Sequence, residues 1–191
     1  MMLDHDTFLT GKMLIATPSL GDSRFSRSLI YVADHNERHA MGIVVNKAMG
    51  ELTLMDLLDQ LSIPATIRTP DRLVLEGGPV GRDRGFVLHS DDYFLEDATL
   101  VGRGGVSLTA TKEVLEAIAA DDGAPERAVL ALGYAGWGPG QLEAEIADNS
   151  WLICEATEQF VFGDDLEAKW AGALASIGAD AGRLSGLSGT A

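Results

Sequence analysis

Three near-continuous apolar runs dominate the first quarter of the chain: "KMLIATP" (Lys12–Pro18), "RSLIYVA" (Arg27–Ala33) and "MGIVVNK" (Met41–Lys47). They are rich in strand-forming residues and are separated by the polar stretches "SLGDSRFS" and "DHNERHA", a pattern that predicts sequential antiparallel strands. The period then changes. In "TLMDLLDQL", Leu54, Leu57, Leu58 and Leu61 recur at steps of three and four behind Thr53, a residue type suited to an N-cap, so a helix is expected that Pro64 ends. "RLVLEGG" and "RGFVLHS" read as two strands around the turn-forming "GGPVGRD". Beyond the loop "DDYFLEDATLVGRGG" lies a short strand, "VSLT", and then a helix from Thr111 to Ala120 with Val114, Leu115 and Ile118 on one face. "RAVLALG" predicts a strand, "QLEAEIADN" a helix and "WLICEA" a strand, while Leu166, Trp170, Leu174 and Ile177 trace the stripe of an amphipathic terminal helix.

Strands outnumber helices and the early ones follow one another without intervening helices, which argues for an α+β fold and against a doubly wound parallel sheet. A chain of 191 residues is the size of one domain. The expected organisation is a flexible N-terminus over residues 1–10, one domain over 11–178, and a small, polar, mobile tail over 179–191.

Charge narrows the function classes. Lys plus Arg number 14 against 29 Asp plus Glu, a net charge of −15 that repels phosphate backbones and anionic lipid, so direct nucleic-acid binding is not expected. Most of the positive charge falls in the first 103 residues, which leaves room for a local basic patch. No apolar run approaches the ~18–20 residues needed to cross a bilayer. The start, "MMLDHDTFLTG", lacks the basic and apolar regions of a secretory signal, so a soluble cytoplasmic protein without a membrane partner is expected. The single cysteine, Cys154, sits in an apolar strand and reads as buried and inert.

The densest punctuation is "GYAGWGPGQLEAE" (Gly133–Glu145), which places a glycine-rich stretch between a strand and a helix. Pro139 suits the first helical position, with Gly138 as N-cap. Strand, glycine loop and helix is also the order of phosphate sites, but the Gly-Lys-Ser/Thr ending is missing and Glu143 and Glu145 place negative charge near the helix start. Gln141, Glu145 and Asp148 share one helix face, either as a solvated stripe or as the lining of a cleft. Asn46, at the end of an apolar run, either caps the strand turn or projects into a pocket. Asp22, Arg24 and Arg27 offer surface ion pairs or an anion clamp. In "HNERH" the glutamate is one place late for a zinc helix and the segment reads as a turn, so no metal site is expected. His89, Ser90 and Asp92 are the residue types of a hydrolytic triad without its nucleophile elbow.

Taken in order, "GKMLIATPSLGDSRFSRSLIYV", "MGIVVNK", "LEGGPV" and "LGYAGWGPGQLEAEIADNSWL" resemble the AlgH/YqgE family of largely uncharacterised bacterial proteins, over about Gly11 to Ile177. The resemblance implies a bifurcated, mostly antiparallel sheet with a small closed β-barrel, surrounded by helices. It carries no catalytic role to any residue. Positions matching the recurring motifs include Pro18, Asp22, Phe25, Gly42, Asn46, Gly77, Gly78, Pro79, Gly133, Trp137, Gln141, Glu143, Glu145, Asn149 and Trp151. The candidate ligand or partner cleft is drawn from Asp22, Arg24, Asn46, Gly77, Gly78, Pro79, Trp137, Gln141, Glu143, Glu145 and Asn149. The leading expectation is a cofactor-free binding or regulatory protein, acting on transcription indirectly through an unknown protein partner or small molecule. The alternative is a metal-free hydrolase or transferase with Glu143 or Glu145 as base.

Overall fold

The computed structural model describes residues 8–66, 68–180, 182 and 184. Residues 1–7 of the expected N-terminal segment and most of the expected tail lie outside them.

The first three apolar runs form β1 (Lys12–Ala16), β2 (Leu29–His35) and β3 (Ala40–Val44), paired antiparallel in that order. Their lack of polar alternation has a direct cause: both faces are covered. Met13 and Ile15 of β1 point into one core with Leu29, Tyr31 and Ile43, while Leu14 and Ala16 point into a second with Ile30, Val32 and Val44. Strands buried on both sides must be apolar throughout.

Next come β4 (Ala48–Thr53), helix α1 (Leu54–Gln60), β5 (Leu73–Glu76), the long β6 (Val80–Ser90), β7 (Thr99–Val101) and β8 (Val106–Thr109). Thr53 caps α1 by accepting from the Asp56 N–H, and the Asp56 side chain accepts from the Thr53 N–H, a reciprocal capping box. Helix α2 (Lys112–Ala120), β9 (Ala128–Trp137), α3 (Gln141–Ala147), β10 (Trp151–Glu155), α4 (Glu158–Phe162) and α5 (Leu166–Ser176) complete the described elements. Among the described residues the sheet has ten strands; its main path runs β10-β1-β2-β3-β9-β6-β8-β7, and β4 and β5 lie off it. Among the described residues only the β5–β9 pairing is parallel. The result is a mixed helix and strand fold with a sheet curled into a half-barrel. The small closed barrel expected from the resemblance is not shown, since β10 and β7 end the path without pairing to each other.

Strand β9 organises the whole. One of its edges carries β6; the other carries β5 beside Ala131 and Leu132, and β3 beside Ala135 to Trp137. The sheet divides there. Before Gly133, odd-numbered residues such as Val129 and Ala131 face the first core and Leu130 faces a third core under α1 and α2. After it, Tyr134 packs on the first core while Ala135 and Trp137 face the second. Gly133 has φ 79°, and this one left-handed residue reverses the alternation. A Cβ at Gly133 would lie 2.4 Å from the Gly78 carbonyl oxygen, and one at Gly77 would lie 2.3 Å from the Gly133 carbonyl oxygen. The "GYAGW" stretch is thus strand, where a loop was expected.

Helices α4 and α5 cover the first core, α3 the second, and α1 and α2 the third. Of the stripe expected on α5, Trp170 and Leu174 are buried, but Ile177 lies past the helix end and is 41% exposed. Three elements escaped the apolar pattern. β4 is half exposed, β7 is a three-residue edge, and α4 is five residues long.

Gly133→Ala should lower the unfolding free energy in urea by about 3 kcal/mol, since strain and a backbone clash combine. Gly50→Ala, at φ 57° with open space around it, should cost only about 1 kcal/mol.

Candidate functional site

The corner after β9 begins with a four-residue turn. The Gln141 N–H donates to the Gly138 carbonyl at 3.1 Å, and Gly140 adopts φ 71°, ψ −2°, the third position of a type II turn with Pro139 at the second. Helix α3 therefore starts at Gln141 with Gly140 as N-cap, two residues later than expected. The turn claims Pro139, and the Gln141 side-chain oxygen accepts from the Gly138 N–H at 3.0 Å. At the far end the Asn149 N–H donates to Ile146 and the Ser150 N–H to Glu145, with Asn149 at φ 59°, a Schellman close.

Glu145 is held by three donors. Its Oε2 accepts from Trp137 Nε1 at 2.9 Å and from Trp151 Nε1 at 2.7 Å, and its Oε1 accepts from Gln141 Nε2 at 3.1 Å. Both indoles are buried, with their rings edge to face at 5.9 Å. Glu143, two residues earlier and on a different face of α3, accepts from His35 Nε2 at 2.5 Å. The Leu9 N–H donates to His35 Nδ1 at 3.0 Å, which assigns the neutral ring proton to Nε2 and leaves neither nitrogen free.

Asn46 uses both ends of its amide on the main chain: its Oδ1 accepts from the Leu29 N–H at 2.9 Å and its Nδ2 donates to the Arg27 carbonyl at 2.8 Å. This pins the loop before β2, where Arg27 is left-handed at φ 55° and its guanidinium stacks on Trp170 at 4.5 Å. Asp22 caps the short turn Ser23–Phe25 and pairs with Arg24 at 2.8 Å; the Arg24 side chain holds the Asp22 carboxyl below its ordinary range.

Of the residues expected to share a cleft, Asn46 lines one hollow and Arg24, Gly78 and Pro79 line its neighbour. A hollow of about 440 Å³ is lined by Arg27, Asn46, Lys47 and Trp170, and a neighbouring one of about 270 Å³ by Arg24, Phe25, Lys47, Gly78, Pro79 and Arg82. Lys47 belongs to both. Gln141, Glu143 and Glu145 line neither; they connect to this region through Phe25, which packs edge to face on Trp151 at 5.7 Å. Trp137 helps to line a different hollow, with Met41, Phe86 and Tyr134. Gly77 sits in the fork of the sheet, with its N–H on Leu132 and its carbonyl on Val44.

The sequence profile of the AlgH-like family matches residues 13–182. The chain belongs to the AlgH-like family. Among relatives, the UPF0301 protein of Caulobacter vibrioides (strain NA1000 / CB15N) is 48% identical over 98% of this chain and 96% of its own, and that of Nitrobacter hamburgensis is 51% identical over 97% and 88%. The solution structure of the AlgH protein from Pseudomonas aeruginosa superposes with a TM-score of 0.78 at 38% identity, covering 100% of this chain and 98% of the other. The crystal structure of protein DIP2367 from Corynebacterium diphtheriae, at a TM-score of 0.62 and 18% identity over 84% of each chain, shares the fold.

The remaining polar groups of this AlgH-like chain are placed as follows. His35 and His39 diverge, the first toward Glu143 and the second toward Asp34 at 2.8 Å. Among the described residues no group of three or more His, Cys, Asp or Glu is arranged to hold a metal ion. His89 is buried between the Ser90 carbonyl and Thr109, while the Ser90 hydroxyl turns to Asp92. Cys154 is buried, which pushes its thiol pKa up. No described helix is long and apolar enough to cross a membrane.

Sequence reasoning missed Lys169. It lies on the amphipathic α5 next to Trp170 and is 3% exposed, donating to the Val45 carbonyl at 2.9 Å and the Val161 carbonyl at 3.4 Å. A lysine beside an apolar stripe reads as a solvated flank, so no sequence signal marked it. Burial, helped by Arg72 and opposed by Asp164, lowers its pKa to about 8.

Two measurements check this picture. Glu145→Ala leaves two buried indole N–H groups without an acceptor and should cost about 3 kcal/mol in urea unfolding, with both indole proton resonances moving. For Lys169, the folded chain releases the proton near pH 8 and the unfolded chain near 10.5. The unfolded state therefore binds more protons in that window, and this group makes stability rise with pH across it. Tyr31, pushed up to about 12 by burial, acts in the opposite sense only above its ordinary value of 10.0. Urea titrations from pH 8 to 10 should show a rise in wild type that Lys169→Met flattens.

Proposed function

We propose that the protein is a cytoplasmic, non-catalytic binding module that recognises an acidic segment of a protein partner in the basic groove along the 17–28 loop. The observation that carries this reading is the charge of the groove. In a chain of net charge −15, Arg24, Arg27, Lys47 and Arg82 gather around two adjoining hollows. Arg24 and Arg82 are answered by Asp22 and Glu76, but Arg27 and Lys47 form no ion pair among the described residues. Burial lowers the Lys47 pKa, against the pull of Glu76, so a partner carboxylate would offset an existing desolvation penalty. Local cations in an anionic surround select a partner that presents negative charge at close range, because fields beyond about 8 Å are screened at physiological salt. Any effect on transcription would pass through that partner, since the overall charge opposes DNA.

The hydrolase or transferase alternative has less support. A general base needs a free acceptor aimed at substrate. Glu145 has three donors on its two oxygens, and Glu143 faces a histidine whose other nitrogen is also taken.

A fluorescein-labelled Glu-rich peptide titrated into the protein should bind saturably, and Arg27→Glu or Lys47→Glu should each weaken it by about tenfold, with Gln141→Ala unchanged. Unaltered affinity in both charge-reversal variants overturns the reading. A thermal shift with citrate or tripolyphosphate in the absence of peptide binding would move it to a small anion.

A further inference from the structure

Another hollow lies beside the first turn of α5, next to the basic groove. This open cavity has a volume of about 710 Å³ between the start of β5, the start of β9, α4 and α5, and Leu166 borders both regions. Such a volume falls in the range of small-molecule sites. Its lining is divided: Leu75, Val129, Phe162 and Leu166 supply apolar surface, and Lys169 stands in the wall.

The charges follow a pattern. Arg72 and Arg127 also border the cavity, but each already has a carboxylate, Asp164 at 2.5 Å for the first and Glu158 for the second. Arg72 further donates to the Ala128 carbonyl at 3.0 Å and the Phe162 carbonyl at 2.6 Å, which ties β9 to the end of α4. Lys169 is different. It is more than nine-tenths buried, forms no ion pair among the described residues, and places two donors on main-chain carbonyls, one of them at the long distance of 3.4 Å. An ammonium has three donors, so one is left over. A buried ammonium facing only dipoles carries an uncompensated desolvation cost.

From this geometry we propose that the cavity binds a small monocarboxylate with a short alkyl tail, its carboxylate on the Lys169 ammonium and its tail over Leu75, Val129, Phe162 and Leu166. The lining also limits the ligand's charge. Of its three cations, Arg72 and Arg127 are paired with Asp164 and Glu158, which leaves Lys169 to answer one incoming carboxylate, and a second negative charge would find no free cation and face Asp71 and Glu126. One negative charge is answered by Lys169 alone. The site is separate from the basic groove and does not depend on it.

The test is calorimetric titration of the full chain with octanoate, 1-octanol and citrate. Octanoate should bind at a single saturable site at least tenfold more tightly than octanol, and citrate should not compete. Because the carboxylate favours the charged amine, octanoate binding at pH 9 should draw in a proton, seen as a binding heat that varies with buffer ionisation enthalpy. Lys169→Met should abolish both the preference over octanol and the proton uptake. Leu73→Asp provides a second variant that keeps the fold, since Leu73 is 47% exposed and borders the cavity; the added negative charge should weaken octanoate by about tenfold. Equal binding of octanoate and octanol, no saturable heat, or full octanoate affinity in Leu73→Asp would each overturn the proposal.

Discussion

Two glycine backbones touch at the centre of this molecule, and the rest of the sheet is arranged around that contact. The Gly77–Gly78 segment lies against Gly133 so closely that a Cβ on either side would meet a carbonyl oxygen. The approach lets β3 and β5 share one edge of β9, and the left-handed turn at Gly133 reverses which residues of β9 face which core. Three hydrophobic clusters can then be served by one strand. Without the reversal, Trp137 would leave the second core and Tyr134 the first.

The Glu145 clasp follows from that placement. Once β9 delivers Trp137 to the second core and β10 delivers Trp151 beside it, two indole N–H groups are buried and need an acceptor. Helix α3 supplies one carboxylate for both, and Gln141 steadies it from one turn back. The hydrogen bonds explain why a residue type so suggestive of catalysis sits at this corner. They belong to the architecture, as do those of Asn46, whose amide substitutes for a strand partner where the chain swings into β2.

What remains open to a ligand lies in two neighbouring regions that meet at Leu166 of α5. One is a basic band in which Arg27 and Lys47 form no ion pair among the described residues; the other is a larger cavity with a partly apolar, partly charged lining and one buried ammonium. A chain with an excess of acid keeps these cations from being neutralised by neighbours only because local packing separates them from most of its carboxylates. Position, more than composition, determines what the surface can recognise.

Strand and helix order was largely legible in the sequence, because residues covered on both faces must be apolar and amphipathic helices must show a stripe: β1, β2, β3, α2 and α5 announced themselves in this way. Family membership was legible for the same local reason, through short motifs whose glycines, prolines and amides satisfy nearby backbone. Short or largely exposed elements, β4 and β7, left no trace, and the stretch after Gly133 looked like a loop because strand glycines and loop glycines are spelled alike. The site was less legible still. Asn46, Glu145 and Lys169 acquire their roles from partners on other elements, and long-range partners leave no periodicity in the chain. Local propensity set the elements; the choice of which polar side chain is satisfied internally and which faces a cavity was made only when β9 brought distant segments together.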